Sequence, residues 1–356
     1  MSETLTIHKI VPIPYSNLNR DDTGTPKRIH QGGVLRAMLS SQSIKRAVRT
    51  DYENRSMTPS YRSANLADIV AERACELNPE LDEKEAGKQA KKLIGALTKG
   101  SEATDGEAGR SAWLSKEELE IAAANVASGS EDAYINKEKT GALAIAAFGR
   151  MFAAQQDFNT EAALSVSPAI STHAALIETD YFSTVDDSPT EKQGKGATYL
   201  GVAAYTSATM YQTVTIDRAQ LRASWTGLAA PDARDLLEVF VKSLIYKLPR
   251  GKEHGTAPYT YPQVVLVEEQ NYRMAYDFET PVVPGVDGGF TENSVKRLAE
   301  QREAAHQFDP GNFGQVSLIG GTVSKEQLET FGVDVVNLDA ICDTVVDWIL
   351  ENGTNG

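Results

Sequence analysis

SSQSIKRAVR, Ser40–Arg49, sets four polar residues ahead of three cations in a chain whose formal net charge is −14. The stretch reads as the start of a helix. Ser40 or Ser41 caps it, and Ile44, Ala47 and Val48 recur at helical spacing to form an apolar stripe. Lys45 and Arg49 share the opposite face, and Arg46 sits at the three-residue spacing from Arg49. Upstream, Leu5, Ile7 and Ile10-Val11 flank polar Thr4, Thr6 and His8, the pattern of a half-buried strand that ends near Pro12 and Pro14. A long loop from Tyr15 to Leu39 joins the two. It contains DDTGTP and Gly32-Gly33, where the backbone turns or approaches a ligand closely.

Downstream, Arg62 to about Gln155 reads as mostly helical, interrupted by GSEATDGEAG at Gly100–Gly109. Short β-like pieces follow from Ser165, and the polar, turn-rich DDSPTEKQGKG predicts a projecting hairpin or loop. ATMYQTVTI, ending at Ile216, returns to strand character. Leu236, Leu237, Phe240, Val241, Leu244, Ile245 and Leu248 form a core-facing helical stripe, YPQVVLV supplies another strand, and a second stripe runs from Leu338 to Leu350. This order predicts an α+β fold: a split βαβ, ferredoxin-like core with a large helical insertion.

Composition narrows the function. Hydrophobic residues at 41% and charged residues at 24% of 356 positions fit a soluble globular protein. The apolar run ALAIAAF from Ala142 is far shorter than a membrane span. MSETLTIHKI lacks the basic head and apolar stretch of a secretory signal, so a cytoplasmic location and no membrane partner are expected. Cys75 and Cys342 form neither a CxxC pair nor a disulfide framework. There is no Walker loop and no G-x-G-x-x-G fingerprint, and no cofactor is expected.

The acidic average conceals an asymmetry. Met1–Thr50 holds Lys9, Arg20, Lys27, Arg28, Arg36, Lys45, Arg46 and Arg49 against Glu3, Asp21 and Asp22, a net +5 that leaves −19 for the remainder. A solvated, N-capped helix accounts for the opening stretch alone. The further cations of the preceding loop turn the reading toward a polyanion site, in which side chains and helix-start N–H groups grip successive phosphates.

Leu18-Asn19-Arg20-Asp21-Asp22, Gly32-Gly33, Arg36 and Ser40-Ser41-Gln42-Ser43-Ile44-Lys45-Arg46-Ala47 resemble the N-terminal block of the CasC family, the backbone subunit of type I-E CRISPR Cascade complexes. Gly149-Arg150-Met151, Ala169–His173, Tyr181–Asp187 and the Pro249–Thr256 loop are similar to later family blocks, so the resemblance spans most of the chain. It implies an RRM-like palm (residues 1–61 and 200–356), helical fingers (62–170) and a thumb (171–199). It also implies copies that polymerise along one CRISPR guide RNA and present it to a target DNA strand, alongside subunits of the CasA, CasB, CasD and CasE families.

On this resemblance Arg20, Lys27, Ser40, Gln42, Lys45, Arg46 and Arg49 contact the guide backbone, and with Arg28, Arg36, Ser41, Ser43, Arg150 and Lys252 they make up the expected RNA-binding set. Met151, Tyr181, Phe182 and Val185 match the apolar elements that wedge into the guide–target duplex; local packing is the alternative for each, and the favoured one for Val185. The loop TPVVPGVDGGFTENS from Thr280 departs from the family pattern in having no lysine, and Lys252 supplies charge instead. A scaffold that accepts any spacer holds phosphates and 2′-hydroxyls and leaves sequence to base pairing.

Two other classes stay open. Adjacent Asp21 and Asp22 would hold a divalent metal in an RNase of the type III backbone kind. Against this, an Asp pair beside Arg20 also organises a turn, and His8, His30, His173, His254 and His306 are scattered, giving no metal-ligand spacing. A protein-only scaffold would use the cations against acidic neighbours.

Overall fold

Strand β1 (Thr4–Ser16) runs straight through Pro12 and Pro14. Its pairing with the strand Val264–Gln270 ends at Ile10 opposite Val264, so both prolines fall past the last pair on that side, where no N–H is needed. The strand is also buried on both faces rather than one. Leu5, Ile7 and Lys9 alternate with Thr6, His8 and Ile10, and the polar members of the second set find partners inside: Thr6 Oγ1 lies 2.9 Å from Thr215 Oγ1, and His8 Nδ1 lies 2.8 Å from the Tyr211 hydroxyl. Burial holds the His8 imidazole neutral, its pKa lowered to about 4.

The computed structural model describes residues 3–98, 111–152, 154–185 and 197–351. The region expected as one long loop instead contains a hairpin, β2 (Arg28–Gln31) and β3 (Val34–Leu39). Gly32 and Gly33 make its turn with φ of 60° and 75°, the left-handed backbone that a two-residue hairpin turn requires. Helix α1 (Ser41–Ser56) follows as expected, with Ile44 and Val48 buried.

Then come β4 (Ser60–Ser63), α2 (Leu66–Leu77), α3 (Glu83–Thr98), β5 (Ala112–Ser115), α4 (Lys116–Ser128) and α5 (Leu143–Phe148). Val70 and Ala74 of α2, Ala86, Ala90 and Ile94 of α3, and Ala122, Ala123 and Val126 of α4 share one core, in which alanines at helical spacing allow close approach. Helix α4 begins with a capping box between Ser115 and Glu118. The GSEATDGEAG stretch lies outside the described residues.

The chain continues through β6 (Leu164–Val166), β7 (Ala169–Ser171), β8 (Ile177–Val185), β9 (Ala197–Asp217), α6 (Arg218–Ser224), α7 (Ala233–Tyr246), α8 (Glu253–Thr256) and β10 (Val264–Gln270). It closes with α9 (Thr291–Phe308), β11 (Phe313–Gly320), α10 (Lys325–Glu329), β12 (Asp334–Val335) and α11 (Leu338–Leu350). Among the described residues the main sheet has the order β12-β11-β10-β1-β9-β7-β3-β2, with β6 and β8 also pairing β9. The centre, β10-β1-β9-β7, with α1 after β1 and α7 between β9 and β10, is the split βαβ order of an α+β, ferredoxin-like fold. Helix α9 covers one face through Val295 and Leu298, which share a core with Ile10, Val264 and Leu266. Buried Glu268 joins the helix to the sheet by accepting from Arg302 Nε (2.7 Å) and the Tyr276 hydroxyl (2.6 Å).

The fold divides into two compact units. One comprises residues 1–48, 166–215 and 242–345 and holds the main sheet; the other comprises 49–165, 216–241 and 346–356 and holds the helical core and the β4–β5 pair. No helix among the described residues is long and apolar enough to cross a membrane.

Candidate nucleic-acid interface

In the sheet-bearing unit, the segment Asn17–Leu18–Asn19 gathers three stretches that are distant in sequence. Lys27 N donates to Asn19 O (2.8 Å), Ser40 N donates to Asn19 Oδ1 (2.8 Å), and Gly251 N donates to Leu18 O (3.0 Å). A Cβ at position 251 would lie 2.5 Å from Leu18 O, so only glycine lets the second basic loop come this close. Buried Asn17 anchors the segment by donating from Nδ2 to Gly24 O and to Ala204 O, each at 2.9 Å. The Arg20 loop, the entry to β2, the α1 N-terminus and the Lys252 loop are thus joined through three residues.

Around this hub Arg20, Arg28, Gln42 and Arg46 are exposed, while Lys27, Ser40, Ser41, Ser43, Lys45 and Lys252 are part-buried. Ser40 Oγ accepts from Ser43 N at 3.4 Å, a long N-cap bond, and burial lowers the Lys45 pKa. A small open cleft adjoins the hub, lined by Leu18, Asn19, Pro26, Lys27, Met38 and Met210 among others. Cations, hydroxyls and helix-start amides in one place can hold a polyanion without reading its bases.

Asp21 is spent on the loop itself. Its Oδ1 accepts from Thr23 N, Thr23 Oγ1 and Thr25 N, and its Oδ2 accepts from Thr25 Oγ1. These bonds, led by the Thr25 hydroxyl, hold its pKa down to about 2. Among the described residues no group of three or more His, Cys, Asp or Glu could hold a metal ion.

Two expected contacts are corrected. Arg36 is fully buried, and its guanidinium donates to Ser171 O (2.6 Å), Phe278 O (2.9 Å) and Glu279 O (2.8 Å). Arg150, in the helical unit, is buried in a two-point pair with Glu118 (2.5 and 2.8 Å) and also donates to Trp113 O. Neither presents its charge to solvent. In that same unit Arg49 is part-buried, 3.8 Å from Glu53 and over the Trp113 ring at 5.2 Å, so its charge is shared with local partners.

Three residues not singled out in the sequence, Tyr15, Tyr205 and Arg250, join the site. Lys252, in left-handed backbone at φ 50°, places Nζ 5.1 Å from the Tyr205 ring centre, and Tyr205 stacks on Tyr15 at 4.4 Å. Arg250, in the same loop, pairs with Glu253. The basic run Lys247–Lys252 is a signal for Arg250; the stack of Tyr15 on Tyr205 has none in the sequence.

Of the apolar set, Met151 (81% exposed), Tyr181 (66%) and Phe182 (39%) reach solvent. Tyr181 pairs with Val202 and Phe182 with Gly201 in an antiparallel β8–β9 ribbon. Val185 ends β8; its side chain, Asp186, Asp187 and the SPTEKQGKG stretch lie outside the described residues. His173 is buried, stacked on Phe290 at 3.6 Å.

A family model described as CT1975-like protein, of the Cas group, matches residues 5–346. No curated protein is significantly similar in sequence. Among solved structures, the chain is similar to one in a "CRISPR RNA-guided surveillance complex, pre-nicking" (23% identity, 96% of this chain and 99% of that one, TM-score 0.80). It is also similar to one in a "CRISPR RNA-guided surveillance complex" (21% identity, 96% and 98%, TM-score 0.64). At these identities the likeness is one of fold.

Proposed function

The chain belongs to the CT1975-like family of Cas proteins, and on that premise we propose that it is a non-catalytic, RNA-binding backbone subunit of a type I-E Cascade complex. Copies polymerise along a CRISPR guide RNA in the cytoplasm and present its bases to a target DNA strand, with CasA, CasB, CasD and CasE family subunits as neighbours. The palm holds the guide, and the thumb together with Met151 at the finger base interrupts the duplex. The observation that carries this reading is the Asn17–Asn19 hub, which brings Arg20, Lys27, the α1 N-terminus and Lys252 to one place. The similar chains in RNA-guided surveillance complexes support it. Asp21, with its oxygens already accepting four hydrogen bonds, disfavours the metal-dependent RNase reading.

The test is the nucleic acid that copurifies, followed by its salt dependence. Repeat-derived RNA of uniform length is expected. Arg28→Ala with Arg46→Ala should weaken binding equally for unrelated spacers and flatten the log–log salt slope by about 0.7 for each phosphate no longer neutralised. A preparation free of RNA that also fails to bind it would overturn the reading.

A further inference from the structure

Among the described residues, strand β2 is an edge strand whose one sheet partner is β3, and β3 meets β7 only at Met38 and Leu39. The outer part of this basic hairpin therefore lacks sheet pairing toward β7. Arg36 stands there instead. Its Nη1 reaches Ser171 O at the end of β7, and its Nη2 reaches the carbonyls of Phe278 and Glu279. The hairpin turn rests on the same segment, since a Cβ at Gly32 would come 1.8 Å from Glu279 O. That segment is pinned in turn by Val282 N donating to Thr172 O (2.8 Å) and by Phe290 stacked on His173. Ala37 N to Ser171 Oγ (3.1 Å) and Ala175 N to Leu35 O (2.8 Å) complete the joint.

We infer that Arg36 is the positioning residue of the guide interface: it touches no RNA, but clamps the β2–β3 hairpin to β7 and to residues 278–279, and so fixes where Lys27 and Arg28 meet the guide. Arg28 lies directly opposite Ala37 in the hairpin register, one residue from the clamp. A planar guanidinium can satisfy three carbonyls from two segments at once, which the point charge of a lysine cannot. The inference rests on the guide-binding reading above for its functional half, and on the geometry alone for the clamp.

The experiment uses the full chain with poly(U) RNA as probe, titrated across salt, together with hydrogen exchange at residues 28–37. Arg36→Lys keeps the charge and removes the fork. It should weaken poly(U) binding about tenfold, lower the salt slope by more than the ~0.7 of a single phosphate, and remove exchange protection from the hairpin. Gly32→Ala changes no charge and should reproduce all three effects through its collision with Glu279. Arg28→Ala should lower the slope by about 0.7 and leave protection intact. Hairpin protection unchanged in both Arg36→Lys and Gly32→Ala would overturn the clamp. Protection lost with poly(U) affinity and slope unchanged would overturn its role in binding. A wild type that binds no poly(U) would defeat the guide-binding reading and this role with it, while the exchange result still judges the clamp.

Discussion

Tyr181 and Phe182 are consecutive in β8 and stand on opposite faces of the β8–β9 ribbon, the first opposite Val202 and the second opposite Gly201. Phe182 lies across Gly201, where a Cβ would come 2.5 Å from its ring, and its centroid is 6.0 Å from Tyr199. Tyr181 shares its face with the exposed side chains of Val202 and Leu200. The two aromatics therefore separate under mutation. Phe182→Ala or Gly201→Ala should loosen the ribbon, read as faster hydrogen exchange in β8 and β9. Tyr181→Ala should leave exchange unchanged and alter the chemical reactivity of bases in the assembled guide–target complex. Identical behaviour of the two single variants in both assays would refute the division.

The Arg150–Glu118 pair makes a second prediction. Both side chains are buried, and Glu118 also accepts from Ser115 N at 2.8 Å, so it closes the N-terminus of α4 as well. Removing the cation leaves a buried carboxylate without its counter-charge, which costs on the order of 3–5 kcal/mol. Arg150→Met should lower the denaturant midpoint accordingly, and the salt slope of RNA binding should stay at its wild-type value. A reduced slope in a variant of unchanged stability would return Arg150 to the RNA-binding set.

Arg150 and Arg36 also show where sequence reading stops. Local periodicity locates β1, α1, α7 and α11, because each of those patterns is written within one element. The acceptors of Arg36 lie 135, 242 and 243 residues away, and the partner of Arg150 lies 32 away. No local spacing distinguishes such a clamp from an exposed cation. The β2–β3 hairpin is hidden for a related reason: its strands are short, and its one clear signal, Gly32-Gly33, fits a ligand-approaching loop as well as a turn. Arg20, Arg28 and Arg46, whose exposure follows from position on a loop, an edge strand and the polar face of a helix, lie at the surface as the sequence suggests.

Lys9 gives a pH dependence. Its Nζ is buried in β1 and donates to Leu244 O (2.5 Å) near the end of α7, and burial lowers its pKa from 10.5 to about 7. From pH 7 to 10.5 the folded chain has released a proton that the unfolded chain still holds. Stability therefore rises with pH across that window, with a slope of up to about 1.4 kcal/mol per unit. Below about pH 7 both states are protonated and the folded state carries the full cost of a buried charge. Lys9→Met should flatten the rise and stabilise the protein at about pH 6, measured by denaturant midpoints at several pH values. A wild-type slope retained in Lys9→Met would sink the assignment.

Asp21 separates structure from catalysis. Four hydrogen bonds from Thr23 and Thr25 converge on its carboxylate, and they shape the turn that carries Arg20. Its pKa, held at about 2, means that this contribution is present above the ordinary carboxylate value of 3.8 and is lost only as pH falls toward 2. Asp21→Ala removes a negative charge from a basic site, so pure electrostatics would strengthen RNA binding. The turn predicts the opposite: with the four hydrogen bonds gone, Arg20 loses its placement and affinity falls, while Asp22→Ala, at an exposed neighbour, leaves the turn intact and affinity equal or higher. Neither the wild type nor either variant should cleave RNA in the presence of Mg²⁺ or Mn²⁺. Metal-dependent cleavage by the wild type that both alanine variants abolish would establish the nuclease reading in place of the scaffold, and tighter binding by Asp21→Ala would show that its charge, not its hydrogen bonds, governs the loop.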